Sequence, residues 1–452
     1  MTQIATRFPR YSSDFQALVD RDSAQPWLGR LREQAWERFA QLGLPTARRG
    51  NEKWKYTDIR SIANAVFEHP LDLDPEAGPA PNAVQQAAPW HEGWASLVFV
   101  DGQYAPALSS NISDSICDGL YLGSLAAAAE QHPDLLQRHL AQHAAFQDDG
   151  FVALNTAFLR DGAFVHIPDD APGSPVVNLV FVTTGRQQPR VTYPRILVVA
   201  GRNTRLTLVE SYISLADARF FTNAVTEIVV QDGADVDHYR LLLESLEAFH
   251  VGVSRVHQGQ DSVFRSGAFA RGAALGRNDF QVLLDAPGAN CTLNGLYLTT
   301  GSQHMDNFIN IDHARPHGTS RLLYKGILDG QSRAVFGGNV TVRQDAQKTD
   351  AQQTDKNLLL SDDAEVDSKP SLLIYADDVK CGHGATAGHI DDDTLFYMRS
   401  RGLDVPTASR MLIHAFASEI IDKVQLPPLR EFLNHLFMEA IPISSLQLGR
   451  KT

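Results

Sequence analysis

The chain has 452 residues, of which 43% are hydrophobic and 21% charged, a composition typical of a folded protein with a large core. Its 40 Lys and Arg residues against 53 Asp and Glu leave a net charge of −13, which excludes a general nucleic-acid binder with a basic surface. Three cysteines cannot form a disulfide framework, and no apolar run approaches the ~18 residues of a membrane span. We therefore expect a cytoplasmic protein of two or three domains that binds neither nucleic acid nor membrane.

Residues 1–158 are predicted to form a mostly helical N-terminal region. Residues 27–42 carry apolar side chains at intervals of three and four, as on one face of an amphipathic helix. A stretch rich in proline and alanine, residues 72–89, is predicted to be a linker. A short strand at 95–100 follows, and a helical stretch is expected around residues 125–143.

Residues 159–390 have a different character, because strand-like runs of Val, Ile, Leu, Phe and Tyr recur there. Several runs end in corners that contain Asp, Asn or Gly, without intervening helices. Such strand–corner–strand units suit a parallel β-helix, in which stacking buries each unit. A β-sandwich gives a similar spacing and stays open as the alternative. The corners lie at residues 198–206, 229–236, 283–291, 327–335 and 359–366.

Helices are predicted to return in residues 391–452. Asp391 suits the cap of a helix over 392–401 that stops at Gly402. Pro406 and Pro427 suit the first positions of two further amphipathic helices. These helices either cap the open end of a solenoid or present a docking face, and the pattern leaves both alternatives open.

Several sequence motifs are missing, and each absence removes a class of function. No phosphate-binding loop is present, so the chain does not resemble an ATPase, and no Cys-x-x-Cys offers a zinc or redox site. The glycines at 382, 384 and 388 resemble a dinucleotide fingerprint, but the last interval is too long and no βαβ unit surrounds them. We assign no catalytic residue.

Cys381 and His383 form the first candidate site. Thiolate and imidazole groups both bind iron, and positions i and i+2 of an extended segment point to the same side. Flanking glycines permit close approach by another chain. The alternative interpretation is a packed cysteine beside a surface histidine.

His304, Asp306, His313 and His317 form a second candidate cluster, whose side chains are of the types that hold non-haem iron. Structural hydrogen bonding on a polar solenoid face is the alternative. The polar segment 346–357 is predicted to be either a stacked amide ladder or a polar contact strip.

Several long motifs together resemble the SufB/SufD family of iron–sulfur cluster assembly scaffolds, and they are closer to the SufD branch than to the SufB branch. The most specific contains Lys380-Cys-Gly-His-Gly-Ala-Thr-Ala-Gly388. These motifs span most of the chain and lie at residues 52–58, 288–297, 303–306, 334–337, 346–361, 367–370, 374–391 and 395–402.

The resemblance implies a mainly β fold, a right-handed parallel β-helix between helical terminal regions. It implies a non-catalytic subunit that pairs through its β-helix with a SufB paralogue and binds the ABC-type ATPase SufC. SufC is expected to dock on the C-terminal helices, and the apolar face predicted for this docking comprises Ala408, Met411, Leu412, Phe416 and Ile420.

By the same resemblance, a transient iron–sulfur cluster forms at the interface with SufB. His383 would supply a nitrogen ligand or a proton relay, with Cys381 beside it and a thiolate from SufB. We expect no cofactor in the isolated chain, which could form a homodimer. Reduced flavin accompanies some complexes of the family, although the sequence contains no flavin fingerprint.

Two alternatives come from other functional classes. One is a stand-alone non-haem iron protein that uses His304, Asp306 and His313. The other is a β-helix enzyme that cleaves polysaccharide with paired carboxylates.

Overall fold

The computed structural model describes residues 9–21, 25–47, 51–69, 71, 78–110, 119–185 and 188–440. Its helices, α1 to α10 in chain order, are Pro9–Arg21, Pro26–Leu42, Arg60–Ala63, Pro81–Ala87, Leu125–Gln131, Pro133–His139, Gly150–Ala157, Asp392–Ser400, Val405–Ile421 and Pro427–Glu439. Its strands, β1 to β20, are Ala95–Val100, Gln103–Tyr104, Tyr121–Ser124, Ala163–Ile167, Val176–Thr183, Arg190–Thr192, Arg195–Ala200, Arg205–Ser214, Phe220–Val230, Asp235–Leu243, Phe249–Gln258, Val263–Ala270, Leu275–Leu284, Asn290–Thr299, His304–His313, Thr319–Leu328, Arg333–Val342, Asp350–Leu359, Glu365–Ile374 and Lys380–Gly388.

The strands build a parallel β-solenoid with two long sheets. Sheet I runs in the order β2-β1-β5-β8-β10-β12-β14-β16-β18-β20, and sheet II runs from β3 through β4 and the odd-numbered strands to β19. Equivalent positions in successive turns lie about 30 residues apart, within the range of solenoid repeats. The predicted parallel β-helix is therefore confirmed over the sandwich alternative.

One type of corner, which leads from sheet II to sheet I, is built around a residue in the left-handed region. Its φ is 56° at Asn203, 67° at Gly233 and 61° at His317. The amide of each such residue donates a hydrogen bond to a carbonyl in the next turn, as from Asn203 to Asp232 and from His317 to Gln347. Asn, Asp and Gly tolerate this backbone, which explains their recurrence at the corners.

Hydrophobic clusters hold the solenoid and its helices together. The largest fills the space between the two sheets. Most of the N-terminal helices pack on the outer face of sheet II through residues such as Phe39, Phe151 and Phe221, whereas α4 packs on sheet I through Val84. Helices α9 and α10 pack on the outer face of sheet I through residues such as Ile413 and Leu433. The central strands of both long sheets are thus buried on their two faces, as is typical of parallel sheets, whereas the residues of the last strands β19 and β20 are exposed or only partly buried.

Several predicted elements are confirmed with shifted bounds. The side chain of Asp391 caps α8 as predicted, and the helices that begin near Pro406 and Pro427 are present. The predicted linker is wrong in part, because α4, residues 81–87, is a helix within it, while residues 72–77 lie outside the described residues. The N-terminal region also contributes β1–β3 to the two sheets. In the described part of the chain, no helix is long and apolar enough to cross a membrane.

Candidate functional site

The solenoid ends at β19 and β20, and we call this end the open end. In the described part of the chain, β19 is the last strand of sheet II and β20 the last strand of sheet I. Most residues of β20 are exposed, and so are Leu373, Ile374 and Tyr375 at the end of β19 and just after it. A parallel strand with an unpaired edge and apolar neighbours is a natural place for another chain to pair.

Cys381 and His383 lie on the interior row of β20. They pair in register with Ala351 and Gln353 of β18, which are both buried between the sheets. Residues in register in a parallel sheet share a face, so both side chains belong to the row that lines the solenoid interior. Cys381 packs against the core below, whereas His383 is exposed because no further turn covers it.

The local chemistry of the two residues differs. Partial burial raises the pKa of the Cys381 thiol, and the nearby Asp350 carboxylate raises it further, although a hydrogen bond from the Ala351 backbone opposes the shift. Cys381 is therefore a thiol at neutral pH, and an incoming metal must displace its proton. His383 forms no hydrogen bond or ion pair within the described residues, so its imidazole is available at the open end. Cys291, by contrast, is fully buried in the core, as expected of a structural residue.

The floor of the open end is polar. Asp355 is fully buried one turn below β20 and accepts hydrogen bonds of 2.7 Å from both Asn357 Nδ2 and Ser368 Oγ, all through its Oδ2 atom. Gln353 lies on the same interior row and donates to the Gly338 carbonyl at 3.1 Å. The segment 346–357 thus turns the amides of Gln353 and Asn357 and the carboxylate of Asp355 inward, while Gln352 is exposed. The sequence did not single out Asp355.

The second candidate cluster does not converge on one site, although the Thr57 hydroxyl contacts both His304 and Asp306. His304 Nε2 lies 3.1 Å from the Thr57 hydroxyl, Asp306 pairs with Arg277, and His313 Nε2 lies 2.9 Å from the Ser320 hydroxyl. His317 is a left-handed corner residue. Within the described ranges, no three His, Cys, Asp or Glu side chains are grouped to hold a metal ion. The structural alternative therefore accounts for these residues.

The predicted docking face on α9 is wrong in two of its five members. Ala408 and Ile420 are buried against the chain's own core, because that stripe of α9 packs on sheet I. Met411 is 51% exposed, while Leu412 and Phe416 are half-buried. Only the Met411 side of the helix therefore reaches the surface.

Sequence reasoning missed two exposed aromatic residues on α8. Phe396 and Tyr397 are 70% and 59% exposed. Large aromatic side chains that remain in solvent mark surfaces where partners bind. The available signal was the pair of adjacent aromatic residues, because neighbouring positions of a helix do not share a face and so do not form a single core-facing stripe. In the structure, α8 has no buried residue.

A buried lysine fastens α9 to the solenoid. Lys325 Nζ, on the outer face of sheet I, donates to the Phe416 carbonyl at 2.8 Å and lies 4.2 Å from the centre of the Phe416 ring. It also forms an ion pair with Glu419, which Lys356 approaches at 3.6 Å. In register, Lys325 pairs with Lys356 and Lys356 with Thr386 of β20. We call the contact of Lys325 with Phe416 and Glu419 the helix latch.

Comparison with known proteins gives consistent similarities along the chain. The family description "SUF system FeS cluster assembly, SufBD core domain" matches residues 181–416, and "SufBD protein N-terminal region" matches residues 3–176. An iron–sulfur cluster assembly SufBD family protein of Synechocystis sp. is 33% identical over 410 residues, 88% of each chain. The iron–sulfur cluster assembly protein SufD of Escherichia coli is 32% identical over 87% of this chain and 88% of its own. The SufD protein of Bacillus subtilis is 26% identical over 90% and 92%.

Proposed function

The chain belongs to the SufBD family of iron–sulfur cluster assembly proteins, and from this premise we propose that it is a non-catalytic scaffold subunit of a SufBCD complex. One observation carries the proposal. Cys381 and His383 lie side by side on the interior row of the last strand, at an end of the solenoid that is open to a partner.

The proposed partner across the open end is a SufB paralogue. The exposed edge of β20 offers backbone donors and acceptors, and Leu373, Ile374 and Tyr375 offer apolar surface beside it. A second solenoid end would satisfy both needs by adding its own strands. Such an arrangement would enclose His383 and Cys381 between two chains.

His383 is proposed to act as a nitrogen ligand for iron or for the nascent cluster, which is the cargo of the complex. Imidazole is a suitable ligand for iron, and an exposed side chain without other partners needs no rearrangement before it binds. Because the Cys381 thiol is protonated at neutral pH, we assign it a weaker role than the thiolate that SufB is proposed to supply.

The C-terminal helices are the proposed docking site of the ATPase SufC. The exposed side chains of Phe396, Tyr397 and Met411 form an apolar surface on α8 and α9. ATP hydrolysis by SufC would shift these helices relative to the open end, and the helix latch joins α9 to β16, two strands from β20. The chain itself has no phosphate-binding loop, so the ATP chemistry is assigned to the partner.

The test is cluster assembly with His383→Ala. The side chain is exposed and free of hydrogen bonds in the described residues, so the variant should melt at the wild-type temperature and still join the complex. Cluster yield in vivo should fall. Thr386→Ala, at an exposed position of the same strand, is the matched control and should assemble clusters normally. Normal yield from His383→Ala would refute the ligand role.

A further inference from the structure

Asp355 differs from the other carboxylates buried in the described part of the chain. Six of the seven have a cationic or histidine partner within ion-pair distance, whereas Asp355 has none. A buried carboxylate is normally paired, protonated or bound to a metal ion. The six pairs are Asp101–Arg190, Glu210–Arg240, Glu227–Arg195, Glu244–His250, Asp279–Arg255 and Asp306–Arg277.

The missing counter-charge affects proton binding at this carboxylate. Burial raises the pKa of Asp355 to about 6, and the hydrogen bonds from Ser368 and Asn357 offset this only in part. At Asp279, burial acts in the same direction, but Arg255 and Lys53 outweigh it and hold the pKa well below its ordinary value. Asp355 is therefore a buried acid that lacks a cation.

Two oxygen atoms near the open end lack hydrogen-bond partners in the described residues. They are Oδ1 of Asp355 and Oε1 of Gln353, and both are buried. Leaving a buried acceptor unpaired is unfavourable, because the group has lost its hydrogen bonds to water without replacement. Both residues lie on the interior row of β18 at alternate positions, so the two side chains enter the same part of the interior.

His383 lies on the neighbouring strand, in register with one residue of this pair. It is the register partner of Gln353, one strand spacing of about 4.8 Å away, and Ala385 is the register partner of Asp355. Ala385 carries only a methyl group and is exposed, so little bulk separates the Asp355 carboxylate from the open end. His383 has no competing partner among the described residues.

We propose that Asp355 and His383 share a divalent metal ion at the open end, with Gln353 Oε1 as the third ligand atom. The inference rests on the proposed function, because iron–sulfur cluster assembly is what identifies ferrous iron as the metal that this site receives. One carboxylate oxygen, one amide oxygen and one imidazole nitrogen form a mixed set that suits Fe²⁺ or Mn²⁺. With three ligands from this chain, water or a partner's side chains complete the coordination, so binding to the isolated chain is weak and reversible.

A cationic side chain from the partner subunit is the other group that would satisfy Asp355. The metal is favoured because His383 shares the interior row with the two unpaired oxygens, and an imidazole nitrogen with two oxygens is a ligand set that suits a divalent metal ion. A lysine or arginine of the partner needs only the two oxygens as acceptors, so the effect of His383→Ala on metal binding distinguishes the two occupants.

The test measures Mn²⁺ binding to the purified full chain under anaerobic conditions, by the loss of the free-ion electron paramagnetic resonance signal. The wild type should bind one Mn²⁺ reversibly, and Asp355→Asn and His383→Ala should each weaken binding by about tenfold or more. Asp363→Asn removes an exposed carboxylate at the next corner and should bind as the wild type does. If Asp355→Asn does not fold, Gln353→Met takes its place.

Three results would overturn the proposal. They are no Mn²⁺ binding by the wild type, unchanged binding by Asp355→Asn, and unchanged binding by His383→Ala. Unchanged metal binding by Asp355→Asn together with weakened association with the paralogue would assign Asp355 to a cationic side chain of the partner. If the scaffold function is wrong, the chain forms no complex with a paralogue and an ATPase. The Mn²⁺ measurement uses the isolated chain, so its result does not depend on complex formation.

Discussion

The buried side chain of His313 makes the stability of the fold dependent on pH. It is fully buried, and burial lowers its pKa to about 4, although the Asp312 carboxylate opposes the shift. The folded protein therefore holds His313 neutral down to about pH 4, whereas the unfolded chain takes up a proton below about pH 6.5. The contribution of neutral His313 to the free energy of unfolding is fully present above pH 6.5 and is lost as the pH falls through 4. Relative to His313→Gln, the wild type should lose about 2–3 kcal/mol between pH 7.5 and pH 4.5, measured by urea unfolding.

The control for this pH effect is His435→Gln, which changes an exposed histidine on α10. Its stability should follow that of the wild type at every pH. A parallel pH dependence for the wild type and His313→Gln would contradict the assigned role of burial.

At the residue scale, the sequence located the pair Cys381 and His383 because alternate positions of a strand share a face. It did not reveal Asp355, because the segment from Gln352 to Asn357 is polar on both faces and shows no hydrophobic alternation. Which of its side chains enter the interior is decided by register with the apolar row of β16, which is a long-range property. The cluster at His304 to His317 fails for a similar reason, since its partners Thr57, Arg277 and Ser320 lie in three different segments of the chain.

At the element scale, the helix latch decides how firmly α9 is held. Lys325→Met removes the donor to the Phe416 carbonyl and the ion pair with Glu419, while its chain still fills the space. Because Glu419 is 45% exposed, water can take over part of the lost interaction, and we expect a loss of about 1–2 kcal/mol. Hydrogen exchange should become faster across Val405–Ile421 and stay unchanged in the solenoid strands.

Lys356→Met is the matched control for the helix latch. Lys356 approaches the same carboxylate but is 39% exposed at the longer distance of 3.6 Å, so the variant should leave the exchange of α9 nearly unchanged. Equal effects of the two substitutions would show that general charge near Glu419, and not the buried contact, holds the helix.

The C-terminal helices show that an amphipathic pattern does not predict which partner the apolar face of a helix packs against. The apolar stripe of α9 was predicted to be a docking face, but Ala408 and Ile420 on it pack on the chain's own solenoid. A helical wheel identifies an apolar face and cannot tell an internal partner from an external one. The corners were also predicted from local sequence, since Asn, Asp and Gly favour a left-handed backbone. Three of the five predicted corners lead from sheet II to sheet I and two lead from sheet I to sheet II, so their spacing does not show the regular repeat.

At the scale of the whole molecule, the N-terminal region is tied to the open end. Lys53 Nζ lies 2.7 Å from both Asp149 and Asp279, and Glu52 accepts from Lys369 of β19 at 2.6 Å. The segment that contains Glu52 and Lys53 therefore runs along sheet II from β13 to the last strand. The sequence identified this segment as a motif, but its course depends on ion pairs with residues more than 90 positions away.

The fold class followed from sequence more completely than the boundaries did. Recurrent strands with polar corners predicted a stacked architecture, and the family resemblance selected the parallel β-helix over the sandwich. The participation of β1–β3 in the long sheets was not predicted, because these strands lie within a region whose composition is mainly that of helices.

The most direct test of the scaffold proposal is an anaerobic affinity pull-down of the tagged chain at its native level, with the recovered subunits identified and counted by mass. We predict recovery of one larger paralogue and one ATPase, an association that survives salt, and selective loss of the ATPase from Met411→Asp. Recovery of the chain alone, with stoichiometric iron retained through purification, would contradict the scaffold function and favour a stand-alone iron protein.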